Sequence, residues 1–434
     1  MIGLALIKIN SIYIAFTLTV LILLTSIAHK QSIQYKTESL SAISRKILLN
    51  ILKMIINFNI KLLYILMVMM LALLIILVTK DMAIPILKDT ITLIVVVMLT
   101  TLFSILFLNP IAQRLGLVDN FNKDRKYHSG SITLIGGTSI YIGIVIGVFL
   151  FMTLDSNSLT YLVCSSLIVV LGVVDDAKDL SAKFRLLVQS LVAVLMCVGS
   201  DNYIHNLGNI LSFGEVNLGA LGYAVTVLAV IAAINAYNMI DGIDGLLGTT
   251  ALVTFVSMGF LFFLSADITN MKLTLILASA LIPYLISNLS INQKLLPKIF
   301  MGDTGSMLIG FTVVWLLIQG SQPQAEGKLS FSATTALWLI AVPLMDMARV
   351  IIVRLIHGQS PLKADRTHLH HILLQLGHDK RMALLRIFTL SAFFAVLGIA
   401  MHVGHFQDVT NFLTFLMGFA LYFWRIRTLS KRLL

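Results

Sequence analysis

The chain has 434 residues, of which 58% are hydrophobic and only 12% charged. Soluble domains carry about 25% charged residues, so half that density excludes an ordinary water-soluble fold. The formal charge of +11 is no sign of a nucleic-acid partner here, because in a lipid-facing chain the cations collect in cytoplasmic loops. Spanning a bilayer takes roughly 20 apolar residues. The sequence predicts thirteen helical spans, at 12–28, 62–79, 90–109, 133–154, 160–175, 184–200, 217–237, 246–265, 272–289, 305–320, 333–353, 384–403 and 409–424. The first follows a single cation, Lys8, and is long for a signal-peptide core, so it is expected to be retained. The two cysteines, Cys164 and Cys197, lie inside apolar runs and are expected to serve packing.

With the N-terminus placed outside, 26 of the 31 lysines and arginines fall on the inner side. That asymmetry fixes the orientation by the positive-inside rule. Every polar motif of the chain then falls on the same inner side, although the motifs took no part in the count. The expected fold is an all-α polytopic membrane protein. Residues 1–85 form an N-terminal extension with two transmembrane helices, and residues 86–434 form a membrane domain of about eleven.

The first polar motif runs from Gly116-Leu117-Val118-Asp119 through Arg125, Lys126 and His128 to the pair Gly136-Gly137. A basic loop leading into a helix start offers free amides to an anion. Alternatively, the basic residues are only a positive-inside anchor. The second is GVVDDAKD at 172–179, followed by Lys183 and Arg185. Adjacent carboxylates such as Asp175 and Asp176 raise each other's pKa unless a cation relieves them. Ionisable groups at membrane depth are costly and tend to be functional.

The third is NAYNMIDGIDG at 235–245. Asn238, Asp241 and Asp244 are three apart and share a face if that segment is helical. Acids without a neighbouring cation ask for an external one, and oxygen ligands suit a hard divalent metal. The fourth, KIFMGDTGS at 298–306, puts Asp303 at the opening of a helix, where it suits a magnesium–phosphate site or an N-cap. The fifth, SPLKADRTHLHH at 360–371, combines Asp365 and Arg366 with His368, His370 and His371. Such a cluster can bind phosphate or carry protons. The absence of a supporting cysteine and the nearby acids disfavour zinc.

Together these motifs resemble the polyprenyl-phosphate N-acetylhexosamine-1-phosphate transferase family. The stretches GLVD, VVDDAKDLSAKFR, NAYNMIDGIDGLLG, KIFMGDTGSMLIGFTVVWLL, PLMDM and DRTHLHH occur in the family's order across roughly residues 90–425. The spelling His368-Leu369-His370-His371 favours the N-acetylglucosamine branch over the MurNAc-pentapeptide branch. The resemblance implies transfer of GlcNAc-1-phosphate from UDP-GlcNAc to undecaprenyl phosphate with Mg2+ or Mn2+, initiating O-antigen, enterobacterial common antigen or a related surface glycan. It implies a bacterial inner-membrane enzyme with its site facing the cytoplasm, and it allows a homodimer.

Residue by residue, the resemblance implies metal ligation by Asn238 and Asp303 and catalytic roles for Asp175 and Asp176. Asp241 and Asp244 would line the nucleotide pocket, and Lys183 and Arg185 would hold the lipid phosphate. Arg354, Asp365, Arg366, His368, Lys126 and His128 would contact the donor. The chain departs from the family pattern at Phe121 and Thr133, where the pattern has proline, and its basic loop is one residue longer. Residues 1–85 lie outside the resemblance; they are either a true extension or follow from an upstream start, with Met82 as the start of the core. A transporter, with acids at broken helices, and an inactive assembly scaffold are the rival expectations.

Overall fold

The computed structural model describes residues 85–119, 132–291, 296–323, 329–360 and 367–431. Every described residue belongs to the unit that spans 68–434. The two expected helices within residues 1–85 lie outside the described residues.

The described chain is almost wholly helical. In order it runs α1 (Pro85–Leu115), β1 (Val118–Asp119), β2 (Ile132–Thr133), α2 (Gly136–Phe151), α3 (Ser156–Lys178), α4 (Ala182–Ser200) and α5 (Leu221–Ile240). It continues with α6 (Leu246–Leu264), α7 (Ile268–Asn288), α8 (Gly302–Ser321), α9 (Ala333–Leu339), α10 (Ala341–Ile356), α11 (Leu369–Gln375), α12 (Lys380–Val403) and α13 (Asp408–Lys431). Helices satisfy their own backbone groups, which lipid cannot do for them.

Among the described residues, nine helices are long and apolar enough to cross a membrane. Each of the eleven expected core spans has its helix, but two differ from a simple crossing. The 333–353 span is broken into α9 and α10, which meet at 85°. Counted as one span, the pair makes ten. The 133–154 span yields only the 16 residues of α2, about 24 Å of helix against a hydrocarbon core of about 30 Å. The chain is a multi-pass membrane protein built around α8, in which every residue from Thr304 to Ser321 is buried. Against α8 pack α3, α5, α2 and α6.

Side-chain caps define several helix starts. Asp155 accepts from Ser158 N–H (2.8 Å), Asp267 from Asn270 N–H (3.1 Å) and Asp379 from Met382 N–H (2.7 Å). The glycine pair at the start of α2 serves packing and does not present an anion site. Gly136 N–H donates to Phe300 O (2.9 Å) and Gly137 N–H to Met301 O (3.0 Å). Two amides expected to be open to an anion are thus consumed by the segment before α8. A Cβ at Gly137 would fall on the Gly305 backbone, and one at Gly172 would fall on Thr304. Close approach of three backbones therefore needs glycine at both positions.

The same segment is tied down twice more. Thr133 pairs with Val118 across the β1–β2 ladder, bridges Ile299, and donates its hydroxyl to the buried Asn109 Oδ1 (2.7 Å). Buried Asn288, at the end of α7, accepts from Gly245 N–H (2.6 Å) and donates to Ile299 O (2.8 Å). One side chain thereby joins the 235–245 motif to the 298–306 motif.

Replacing Gly137 by alanine should cost about 1–3 kcal/mol, the usual range for overpacking a filled interior. Thermal unfolding in detergent checks this: a lowered melting temperature is expected, and no change would contradict the packing described.

Candidate active site

The acidic motifs meet at one end of the helix bundle, around the first turn of α8. Asp175 and Asp176 close α3. Asp175 is buried and accepts from Arg185 Nη1 of α4 (2.8 Å) and from Leu180 N–H (2.8 Å). Arg185 also lies 3.9 Å from Asp303. The cation expected to relieve the adjacent carboxylates is thus Arg185. Lys183, the other expected cation, is exposed and makes no ion pair among the described residues.

Asp176 has a different job. Its Oδ1 accepts from Asp303 N–H (2.7 Å); its Oδ2 accepts from Thr304 N–H (3.2 Å) and the Thr304 hydroxyl (2.6 Å). These are orphan donors at the start of a helix. A carboxylate from α3 therefore caps α8, at the positive end of its dipole. Asp303 itself lies inside the first turn and does not act as the N-cap; that position is held by Met301, which makes no side-chain cap. Gly302 has φ of +71°, and a Cβ there would meet the Asp176 carboxylate.

Asn238, near the end of α5, donates through Nδ2 to Asp303 Oδ1 (2.6 Å) and to Ser306 Oγ (2.9 Å). Its Oδ1 accepts nothing among the described residues. The amide oxygen and the Asp303 carboxylate are therefore neighbouring hard oxygen donors, the kind that suit Mg2+ or Mn2+. Among the described residues no cluster of three or more His, Cys, Asp or Glu could hold a metal by itself. A two-ligand protein site that leaves room for phosphate oxygens is how magnesium is commonly bound.

Asn238, Asp241 and Asp244 do not share a helical face. α5 stops at Ile240, Asp241 is its C-cap, and Asp244 lies in the turn before Gly245, whose φ is +78°. The turn aims the carboxylates separately. Asp244 is paired with Lys298 Nζ (2.7 Å), whose ammonium also lies 5.6 Å from the Phe300 ring centre. Asp241 is exposed as a residue at the end of α5, yet desolvation by the protein packed around it, followed by the charges of Asp303, Asp244 and Asp176, pushes its carboxyl up to about 7.

The histidine motif closes on this turn. His370 is 2% exposed, its ring packs against Gly242, and neither ring nitrogen has a hydrogen-bond partner among the described residues. Burial, then the neighbouring His371 and His368, pushes it down to about 4, so it is neutral at physiological pH. His368 lies parallel to it, with ring centres 6.1 Å apart. Arg354 is buried on α10. Lys126, His128, Asp365 and Arg366 lie outside the described residues.

The structure thus groups Asp175, Asp176, Arg185, Asn238 and Asp303 directly, with Asp241 and Asp244 on the adjoining turn. Sequence reasoning missed Lys298, Thr304 and Ser306, all within quoted motifs. It also missed Asp346, which binds His368 from α10. The PLMDM stretch was the available signal for that one: an acid inside an apolar helix three residues before Arg349.

The raised Asp241 carboxyl has a consequence for stability. The folded state holds this proton more tightly than the unfolded chain, so its contribution is full at low pH. It is lost as pH rises from the usual carboxylate range through about 7. In chelator-containing buffer, Asp241→Asn should melt higher than the parent at pH 8, with the gap narrowing at pH 5. A gap independent of pH would contradict the assignment.

Residues 158–321, which hold all five of the directly grouped side chains on α3, α4, α5 and α8, match the family model described as glycosyl transferase family 4. A relative from Escherichia coli O157:H7 is 38% identical over 350 residues, covering 78% of this chain and 93% of its own. One from Salmonella typhi is 39% identical with the same shares. One from Haemophilus influenzae is 38% identical over 348 residues, covering 78% and 96%. All three are named undecaprenyl-phosphate alpha-N-acetylglucosaminyl 1-phosphate transferase. With that identity across nearly the whole of each relative, and with the acidic cluster intact around α8, the chain belongs to glycosyl transferase family 4 and is a membrane enzyme of the phosphoglycosyl transferase class.

Proposed function

We propose that this enzyme transfers GlcNAc-1-phosphate from UDP-GlcNAc to undecaprenyl phosphate, at the cytoplasmic face of a bacterial inner membrane, priming O-antigen, enterobacterial common antigen or a related surface glycan. The observation that carries the reading is the contact of Asn238 with Asp303 (2.6 Å) at the capped start of a buried helix, in a chain whose relatives bear that name. The orientation is supported by the placement of 26 of 31 cations on the side that bears the motifs.

The balance is simple. An oxygen of undecaprenyl phosphate attacks the β-phosphorus of the donor. The bond from that phosphorus to the bridging oxygen breaks, and UMP leaves with the electron pair. Phosphoryl transfer of this kind is mainly positioning and charge neutralisation. Asn238 and Asp303 would hold Mg2+ or Mn2+, which when bound neutralises diphosphate charge and stabilises the leaving group. Asp241 and the Asp244–Lys298 pair line the nucleotide side. Lys183, exposed at the start of α4, and Arg185 meet the lipid phosphate. Arg354, His368, Lys126, His128, Asp365 and Arg366 contact the donor. The acceptor phosphate is already ionised, so no strong base is needed. Asp176, with both oxygens occupied by α8, serves attack by holding Asp303 and forms no phospho-enzyme.

Purified protein supplied with labelled UDP-GlcNAc, undecaprenyl phosphate and Mg2+ should give lipid-linked label and UMP, with UDP-GalNAc a poorer donor. Asp303→Ala should lower the rate by at least about 100-fold, the scale on which a metal-site contact acts. Absence of lipid-linked product would remove the reading. With donor labelled at the β-phosphate, Asp176→Asn should be slow yet trap no label on protein; trapped label would overturn direct attack.

A further inference from the structure

α10 carries a buried carboxylate, 3% exposed, that the reaction above does not use. Four groups from three parts of the chain converge on it. Asp346 Oδ1 accepts from Arg349 Nη2 (3.0 Å), from Leu369 N–H (3.1 Å) and from the hydroxyl of Tyr422 on α13 (3.0 Å). Its Oδ2 meets His368 Nδ1 (2.9 Å). Arg349 Nη2 also donates to Thr367 O, in the residue before His368. A buried carboxylate with both oxygens taken up in this way fixes one arrangement of the groups it joins.

From this geometry we infer that Asp346 and Tyr422 are positioning residues that act through His368. An ionised carboxylate only accepts, so Nδ1 must carry hydrogen and Nε2 is left as the ring's working atom. Nε2 has no partner among the described residues. The ring plane is fixed too, since His368 stacks within 5° of parallel on His370. His370 in turn sits against Gly242, between Asp241 and Asp244. The last helix of the chain therefore sets the tautomer and the tilt of a ring that borders the nucleotide side. This rests on the donor reading given above, because it assigns Nε2 to the UDP-sugar.

The three donors other than His368 all use Oδ1. Asp346→Asn can keep every one of them by placing its own oxygen there. The histidine contact reverses: the amide would donate to Nδ1 and force hydrogen onto Nε2. Arg349 keeps its hydrogen bond but loses the charge it pairs with, so the variant should melt below the parent. Its kcat/KM for the UDP-sugar should fall roughly 10- to 100-fold, through KM for the donor, with KM for undecaprenyl phosphate unchanged. Asp346→Asn combined with His368→Ala should be no slower than His368→Ala alone, because coupled residues are not additive. Tyr422→Phe should give a smaller loss with the same split.

Selective 15N labelling of histidine reads the tautomer without turnover. The signal absent from His368→Ala should report Nδ1–H in the parent and Nε2–H in Asp346→Asn. Equal activity of Asp346→Asn and parent, additive losses in the double variant, or an unchanged tautomer would each overturn the proposal. If Asp346→Asn fails to fold, Tyr422→Phe decides: a change confined to donor KM supports the proposal, and equal losses for both substrates overturn it. If the parent itself makes no lipid-linked product, the donor reading fails, and the tautomer comparison alone decides whether Asp346 sets the ring.

Discussion

The arrangement depends on the hold of Asp176 on the first turn of α8. α8 is buried from Thr304 onward, so the amide of Thr304 has little water to turn to, and an unmade buried hydrogen bond costs about 1–3 kcal/mol. The helix supplies no cap of its own. A carboxylate from another helix takes that place and meets three donors at once. The bond therefore does two things. It satisfies the buried helix end, and it fixes where Asp303, the next side chain along, is presented.

Other contacts gather on the same turn. The α2 amides dock on Phe300 and Met301, α3 approaches Thr304 through Gly172, and Asn238 reaches Asp303 from α5. Charge is distributed in steps around it. Arg185 answers Asp175, Lys298 answers Asp244, and Arg349 answers Asp346. Asp241 has no cation partner among the described residues, and its carboxyl is pushed up to about 7. A polyanion carrying a divalent cation, such as a metal-bound diphosphate, suits a site where ligands are spaced and several acids are already paired with cations.

Much of this was legible in the sequence. Apolar runs of near-constant length marked each core helix, because lipid leaves the backbone one solution. The acids stood out because nothing apolar explains them at helix ends. What was not legible depended on contacts between segments far apart in the chain. The partner of Asp176 lies at 303–304, and that of Asp346 at 422; no local spacing encodes either. The glycine pair at 136–137 read as an anion site because helix starts are anion sites when open, and only the docked carbonyls of Phe300 and Met301 show that this one is closed. Asn238, Asp241 and Asp244 had helical spacing, yet α5 ends at Ile240, ahead of the turn that Gly245 completes.

The central claim is that the cleft at the start of α8 holds a divalent cation and a diphosphate together. A structure of the purified enzyme with Mn2+ and a UDP-sugar, with the metal located by its anomalous scattering, tests it most directly. The account predicts a single peak within coordination distance of Asp303 and the Asn238 amide oxygen, bridging the diphosphate. A metal bound instead by the histidines at 368–371, or a diphosphate placed away from α8, would contradict it.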